Sequence, residues 1–160
     1  MQTKIANSYS QSVDDIAAGF LDEGFLTAKF EALGSRNIDV CVEALDDDEF
    51  EVTIRRDAPA EVPGALKSVL KPWNTIKQVE RWSGPDGGPY CGDITVTTEG
   101  IPAAISSKLS LTASAGGCEQ IIDLTIKCSI PIIGKTLAKF IAKESAKSIA
   151  EEHAFIAEFA

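Results

Sequence analysis

The spacing of the hydrophobic residues changes along the chain and divides it into helical and extended segments. The pattern predicts a short strand over residues 4–9 and a helix over residues 25–33 that ends at Gly34. Another short helix is expected between them, because three apolar residues recur there with the period of a helix: Val13, Ile16 and Phe20. The chain is therefore expected to open with one strand and two short helices.

The middle of the chain places apolar residues at every second position, which is the period of a strand with one buried face. A hairpin is expected around the acidic turn at residues 46–48, because residues alternate in this way on both sides of it. Four further strands are expected after residue 74. The prolines of residues 57–72 oppose regular sheet, and the spacing of Val62, Leu66 and Val69 predicts a short helix there.

The longest helix is predicted at the C-terminal end, starting at Pro131, because a first helical turn does not need the missing proline N–H. An apolar sector of this helix is expected to face the sheet. Its members are Ile133, Leu137, Phe140, Ile141, Phe155 and Phe159.

Polar residues lie within or beside that apolar sector: Glu144, Ser145, Ser148 and Glu152. A carboxylate buried without a partner is costly, so tight packing on an apolar sheet does not explain them. One explanation is that the helix overhangs the sheet and leaves these groups in water. The other is that the middle of the helix faces an open, partly hydrated cavity, to which Arg56, Gln78 or Glu80 would add polar groups from the sheet.

Together these elements predict one α+β domain spanning residues 1–160. Its sheet is expected to be antiparallel and curved, with about seven strands, two short N-terminal helices and a long C-terminal helix. Only the last helix is long enough to cover a face of the sheet.

Charge and composition narrow the possible partners. The chain of 160 residues has a formal net charge of −9, so a nucleic acid is not expected to bind it. The polar N-terminus and the lack of a long apolar run predict a cytoplasmic protein. The four cysteines have no CxxC spacing and no histidine nearby, so we expect free thiols and neither a metal nor another cofactor.

A row of lysines lies opposite the apolar sector of the last helix: Lys135, Lys139, Lys143 and Lys147. Lysines at this spacing are typical of a solvated helix face. They also fit a transient contact with an acidic protein or an anionic membrane surface, where each lysine contributes about 1 kcal/mol. The negative net charge of the chain weakens this second interpretation.

The order of the elements resembles the helix-grip fold of START-like proteins, a superfamily that includes the birch pollen allergen, lipid-transfer START domains and polyketide cyclases. More specifically, the chain looks like a member of an uncharacterised bacterial START-like family of unknown function. The matching segments are FEVTIRRDAPAEVPGALKSVL at residues 50–70, ERW at 80–82, EGIPA at 99–103 and IPIIGKTLAKFI at 130–141.

The resemblance implies an apolar cavity between the sheet and the long helix, with residues 57–71 as a lid. START-like proteins commonly bind lipids or other apolar molecules in such a cavity, so a hydrophobic small molecule or lipid is the expected ligand. The candidate lining residues are Leu66, Val69, Ile94, Val96, Leu109, Leu111, Leu124, Ile126, Leu137, Phe140, Ile141 and Glu144. The same residues also fit a solid core with no cavity.

Two other functions stay open on the sequence. A cyclase, dehydratase or hydrolase would use Glu144 or Glu80 as acid or base, because an apolar cavity can raise the pKa of a carboxyl group. No catalytic motif supports an enzyme, and the single histidine, His153, is expected to be exposed. An interaction module would instead use the lysine row or the acidic turn at residues 46–49.

Overall fold

Seven strands form one antiparallel sheet in the computed structural model, which describes residues 1–160. The strands lie side by side in the order β1-β7-β6-β5-β4-β3-β2, so β1 and β2 are the two edges. Their bounds are β1 (Gln2–Tyr9), β2 (Arg36–Asp46), β3 (Glu49–Pro59), β4 (Trp73–Ser83), β5 (Tyr90–Thr98), β6 (Ala103–Ser114) and β7 (Gly117–Cys128).

Three helices pack on one face of this sheet, the inner face: α1 (Val13–Phe20), α2 (Glu23–Ala32) and α3 (Gly134–Phe159). Helices α1 and α2 carry the chain from edge strand β1 to edge strand β2. The predicted α+β class, with seven antiparallel strands, two short helices and a long C-terminal helix, is confirmed. None of the helices is long and apolar enough to cross a membrane.

Side-chain caps fix where the two short helices begin. The Ser12 hydroxyl accepts a hydrogen bond from the Asp15 backbone N–H at 3.1 Å, and the Asp22 carboxylate accepts one from the Phe25 N–H at 2.7 Å. Each cap satisfies a backbone donor that has no partner within its helix.

Two apolar clusters form at opposite ends of the inner face. The larger lies under α1 and α2 and includes Trp82, on which Phe20 stacks with ring centroids 5.1 Å apart. The smaller joins the β3–β4 connection to the start of α3 and is built on Leu66, Leu70 and Leu137. They lie at opposite ends because β3 and β4 pair from the Trp82 end to the Pro59–Trp73 end, where the connection begins.

The β3–β4 connection is shorter than the sequence pattern predicted. Strand β3 continues to Pro59, which pairs with Trp73 as the first residue of β4. Proline is tolerated there because β2 pairs with β3 only as far as Asp57, which leaves Pro59 at an edge of the sheet. The helix expected within the connection is a single 3₁₀ turn at Gly64–Leu66.

The start of α3 was predicted wrongly. The helix begins at Gly134 and not at Pro131. A tight turn precedes it, in which the Ile133 N–H donates to the Pro131 carbonyl at 2.8 Å. Ile132 in this turn is fully exposed, with a φ of 71°. A proline suits a first helical turn locally, but the chain leaving β7 has to reverse direction before the helix can form.

Candidate ligand-binding cavity

A cavity of about 390 Å³ lies between the inner face of the sheet and α3. It reaches from the larger apolar cluster at Phe20 and Trp82 to the smaller one at Leu70 and Phe140. Ligand sites in proteins typically measure roughly 300–1,000 Å³, so the volume suits a small molecule.

The candidate residues from the sequence divide into two groups. Those that line the cavity are Ile94, Val96, Leu109, Leu124, Phe140, Ile141 and Glu144. Those outside its walls are Leu66, Val69, Leu111, Ile126 and Leu137. Leu66, Val69 and Leu137 belong to the smaller cluster, and Leu111 belongs to the larger one. The second group therefore packs around the cavity without facing it.

The polar residues in the apolar sector of α3 face the cavity. The cavity wall includes Glu144, Ser145, Ser148 and Glu152. A helix whose middle faces a cavity accounts for Glu144, Ser145 and Glu152, whereas Ser148 is also exposed to water, as the other explanation expects. Arg56, Gln78 and Glu80 line the same space from the sheet.

A chain of hydrogen bonds crosses the cavity wall formed by β3 and β4. Arg56 Nη1 donates to Gln78 Oε1 at 3.1 Å, and Gln78 Nε2 donates to Glu80 Oε2. Trp82 Nε1 donates to Glu80 Oε1 at 2.8 Å. Gln78, Glu80 and Trp82 share a face because alternate residues of a strand point to the same side. Both carboxylate oxygens of Glu80 therefore have protein donors.

Burial controls the ionisation of Glu80. Removal from water raises the pKa of this carboxyl above its ordinary value, because the charged form loses its hydration. The Lys29 ammonium and the hydrogen bonds from Trp82 and Gln78 act in the opposite direction without cancelling the rise. Burial thus favours the neutral form of the Glu80 carboxyl.

An ion pair joins the two helices across the cavity. Lys29 Nζ on α2 lies 2.8 Å from Glu152 Oε1 on α3, and the Lys29 side chain is only 6% exposed. The sequence interpretation missed Lys29. The sequence did contain a signal for it. Leu26 lies three positions before Lys29 and Phe30 lies one position after it, and these two apolar residues are buried on the helix. A lysine on such a face needs a partner.

A second polar group lies where β1, β7 and α3 meet. The Tyr9 hydroxyl and Asn7 Nδ2 donate to Gln120 Oε1 at 3.4 and 3.1 Å. The His153 ring lies 4.8 Å from the Tyr9 ring, and its Nε2 is 2.9 Å from the Ser8 carbonyl oxygen. The prediction of an exposed His153 was wrong: the ring is half-buried and lines the cavity.

The cavity reaches the surface beside the middle of α3. Three of its lining residues there are exposed: Lys147, Ser148 and Glu151. The other members of the lysine row, Lys135, Lys139 and Lys143, are exposed but do not line the cavity. The row therefore runs along the outside of α3 and ends at the cavity mouth.

Sequence comparison assigns a family to this architecture. Residues 4–159 match a family described as a protein of unknown function, DUF2505. The chain belongs to the DUF2505 family. The expectation of a family without an assigned function is thus confirmed for this DUF2505 protein. No curated protein matches its sequence.

Several solved structures are similar to the DUF2505 protein in fold. TTHA0849 from Thermus thermophilus has a TM-score of 0.61 at 12% identity, covering 99% of this chain and 95% of that one. CV1439 from Chromobacterium violaceum has a TM-score of 0.59 at 13% identity, with coverages of 100% and 97%. Ara h 8.0201 has a TM-score of 0.60 at 13% identity, with coverages of 98% and 97%. Such identities show the helix-grip fold alone.

Proposed function

We propose that this DUF2505 protein binds or carries a hydrophobic small molecule or lipid in the cavity between the inner face and α3. The observation that carries the proposal is the cavity itself, about 390 Å³, in whose wall apolar residues outnumber polar ones. Binding of an apolar body there is favoured by about 25 cal/mol per Å² of apolar surface removed from water. The resemblance to START-like proteins supports the same class of ligand.

The distribution of polar groups fits an amphipathic ligand better than a hydrocarbon. Ile94 and Val96 on β5, with Phe140 and Ile141 on α3, give one part of the wall an apolar surface. The hydrogen-bonded chain that includes Arg56 gives the β3–β4 part a polar one. A ligand with one polar end and an apolar body would match both parts.

A pair of valines on neighbouring strands tests the proposal. Val96 lines the cavity, whereas Val79 is on the opposite face of the sheet and does not line it. We expect Val96→Phe to fill part of the cavity and to weaken binding of the neutral dye Nile red about tenfold or more. We expect Val79→Phe to leave that affinity within about twofold. Fluorescence titration measures both.

Equal affinities in both variants, with no loss in Val96→Phe, would contradict binding in the cavity. In a separate experiment, native mass spectrometry of the protein from its own host, followed by organic extraction, identifies the natural ligand class. An apolar molecule at one copy per chain is the expected result.

We also propose a transient contact between the lysine row of α3 and an anionic membrane surface. Four exposed lysines on one helix, in a chain of net charge −9, form a local basic surface. The test compares sedimentation with anionic vesicles for two fourfold Lys→Gln variants. One replaces Lys135, Lys139, Lys143 and Lys147, and its control replaces the exposed lysines Lys4, Lys77, Lys108 and Lys127.

Only the first variant is expected to lose vesicle binding, and the binding of the unmodified protein should weaken as salt rises. Equal loss in both variants would mean that net charge, and not this row, causes the binding. For Glu80 the enzymatic alternative has less support, because both of its oxygens already accept hydrogen bonds from the protein.

A further inference from the structure

Arg56 differs from the other cations of the cavity, because it is neither paired with a carboxylate, as Lys29 is, nor exposed at the mouth, as Lys147 is. The ion pairs with nitrogen–oxygen distances up to 4.0 Å are Lys29–Glu152, Arg55–Glu99 and Arg81–Glu51, and none includes Arg56. Its only protein hydrogen bond goes from Nη1 to the neutral amide oxygen of Gln78. The guanidinium carbon lies 4.2 Å from the centroid of the Phe30 ring.

The remaining donors of Arg56 face the cavity. A guanidinium has five N–H donors, and Nε and Nη2 of Arg56 donate to no protein atom. They are not sealed inside the protein, because the only fully buried side-chain polar atom without a partner is Gln11 Oε1. Since Arg56 lines the cavity, these donors are directed at whatever occupies it.

The nearby carboxylates of Glu152 and Glu80 do not pair with Arg56. Lys29 is paired directly with Glu152, and both oxygens of Glu80 are taken by Gln78 and Trp82. Burial lowers the pKa of the Arg56 guanidinium, although the nearby carboxylates of Glu152 and Glu80 oppose this. An anion seated on Arg56 would offset the cost of burying its charge.

We infer that the ligand of this cavity is an amphipathic acid, whose carboxylate accepts hydrogen bonds from Arg56 while its apolar body lies along β4, β5 and α3. The planar donor fork of arginine matches a carboxylate in two parallel hydrogen bonds. Ile76, which pairs with Arg56 across β3 and β4, and Val96 line the same cavity and provide apolar contacts for the body. This inference rests on the proposed function and adds the chemistry of the head group.

The adjacent residue Arg55 provides a matched control. It lies on the opposite face of β3, is exposed, and its Nη2 is 3.3 Å from the Glu99 carboxylate. Arg55→Gln and Arg56→Gln therefore remove the same charge from neighbouring positions, one outside the cavity and one inside it.

The experiment measures the affinity of three probes that share one tail: decanoate, 1-decanol and decylammonium. Each displaces Nile red from the unmodified protein, Arg56→Gln, Arg56→Lys and Arg55→Gln. We expect the unmodified protein to bind decanoate about tenfold or more tightly than 1-decanol, and decylammonium most weakly. Arg56→Gln should remove the preference for decanoate and leave 1-decanol within about twofold. Arg56→Lys should restore part of the preference, and Arg55→Gln should change nothing.

The outcomes separate this inference from the proposed function. If the unmodified protein binds decanoate and 1-decanol equally, or if Arg56→Gln weakens both equally, the head-group assignment is wrong and the apolar cavity still binds. If no probe binds the unmodified protein, the head-group assignment and the proposed function are both wrong. The order of the three probe affinities in the unmodified protein needs no variant, so it tests the head-group assignment even if Arg56→Gln does not fold.

Discussion

The two ends of the inner face are closed in different ways. Under α1 and α2 the apolar cluster is continuous, and Ile16 and Leu111 within it are completely enclosed. At the other end a small cluster of Leu66, Leu70 and Leu137 holds the β3–β4 connection against α3. The cavity lies between these ends. The first end buries more apolar side chains than the second, so it is expected to contribute more to the stability of the fold.

Two glycines illustrate the same difference at the level of the backbone. Gly92 lies opposite Trp82, and a Cβ at this position would come within 2.7 Å of the indole ring. The packed end therefore excludes even a methyl group. A Cβ added at Gly64, in the β3–β4 connection, would meet no neighbouring atom within 4 Å. The two positions therefore differ in exposure, because Gly92 is buried at the packed end whereas Gly64 lies on the exposed side of the connection.

The largest expected effect comes from truncating one leucine at each end. Leu111 and Leu137 are both completely buried, so Leu111→Ala and Leu137→Ala remove the same atoms from the two clusters. We expect Leu111→Ala to lower the free energy of unfolding by about 3–5 kcal/mol, because its rigid surroundings cannot collapse into the space. We expect about 2 kcal/mol for Leu137→Ala, because the short connection can settle into the gap.

Urea unfolding curves measure both values, and the Nile red affinity of Leu137→Ala adds a functional reading. The comparison of the two ends would fail if Leu137→Ala were as destabilising as Leu111→Ala. It would be sharpened if Leu137→Ala released the dye faster than the unmodified protein while remaining folded, since that result would show that the second cluster controls a further route out of the cavity.

The order of the elements could be predicted because the hydrophobic period changes sharply at turns. Gly34 ends the helical spacing, and it adopts a left-handed φ of 92° there. Strands β2 and β3 followed from strict alternation on both sides of an acidic turn. Such signals are local, so they do not need knowledge of the partner strand.

The cavity could be predicted only in part. Polar residues such as Glu144 and Ser148 within the apolar sector of α3 pointed to it, because a solid core would not place them there. The sequence did not distinguish residues that line a space from residues that fill a core, since both are apolar. Leu137 and Phe140 lie in the same apolar sector of α3, yet of these two only Phe140 lines the cavity.

The charged pairs could not be predicted because their partners are far apart in the chain. Lys29 and Glu152 meet only when α2 and α3 pack on the same face of the sheet. The inward position of Arg56, by contrast, could be predicted, because Arg56 continues the alternation of Val52 and Ile54 along β3. The structure places it opposite Ile76 on the inner face.

A smaller effect on stability is expected from Glu80. Its carboxylate joins the packed end to the cavity wall, because it accepts hydrogen bonds from Trp82 and from Gln78. Burial raises its folded-state pKa above the ordinary 4.5, so the folded protein holds its proton to higher pH than the unfolded chain does. The contribution of Glu80 to stability is therefore greatest at low pH and is lost as pH rises from about 4.5 through the folded-state pKa.

Glu80→Gln should remove this slope, because glutamine does not titrate. Urea unfolding across that pH range measures it, with the exposed Glu43→Gln as the control. Hydrogen bonds lower the pKa values of Asp14 and Asp57, so these two residues contribute the opposite slope of stability against pH at acidic pH in every variant. The difference between Glu80→Gln and the unmodified protein isolates Glu80. An unchanged slope in Glu80→Gln would mean that the Glu80 carboxylate is well solvated through the cavity. The polar wall would then be less separated from water than the packed end beside it.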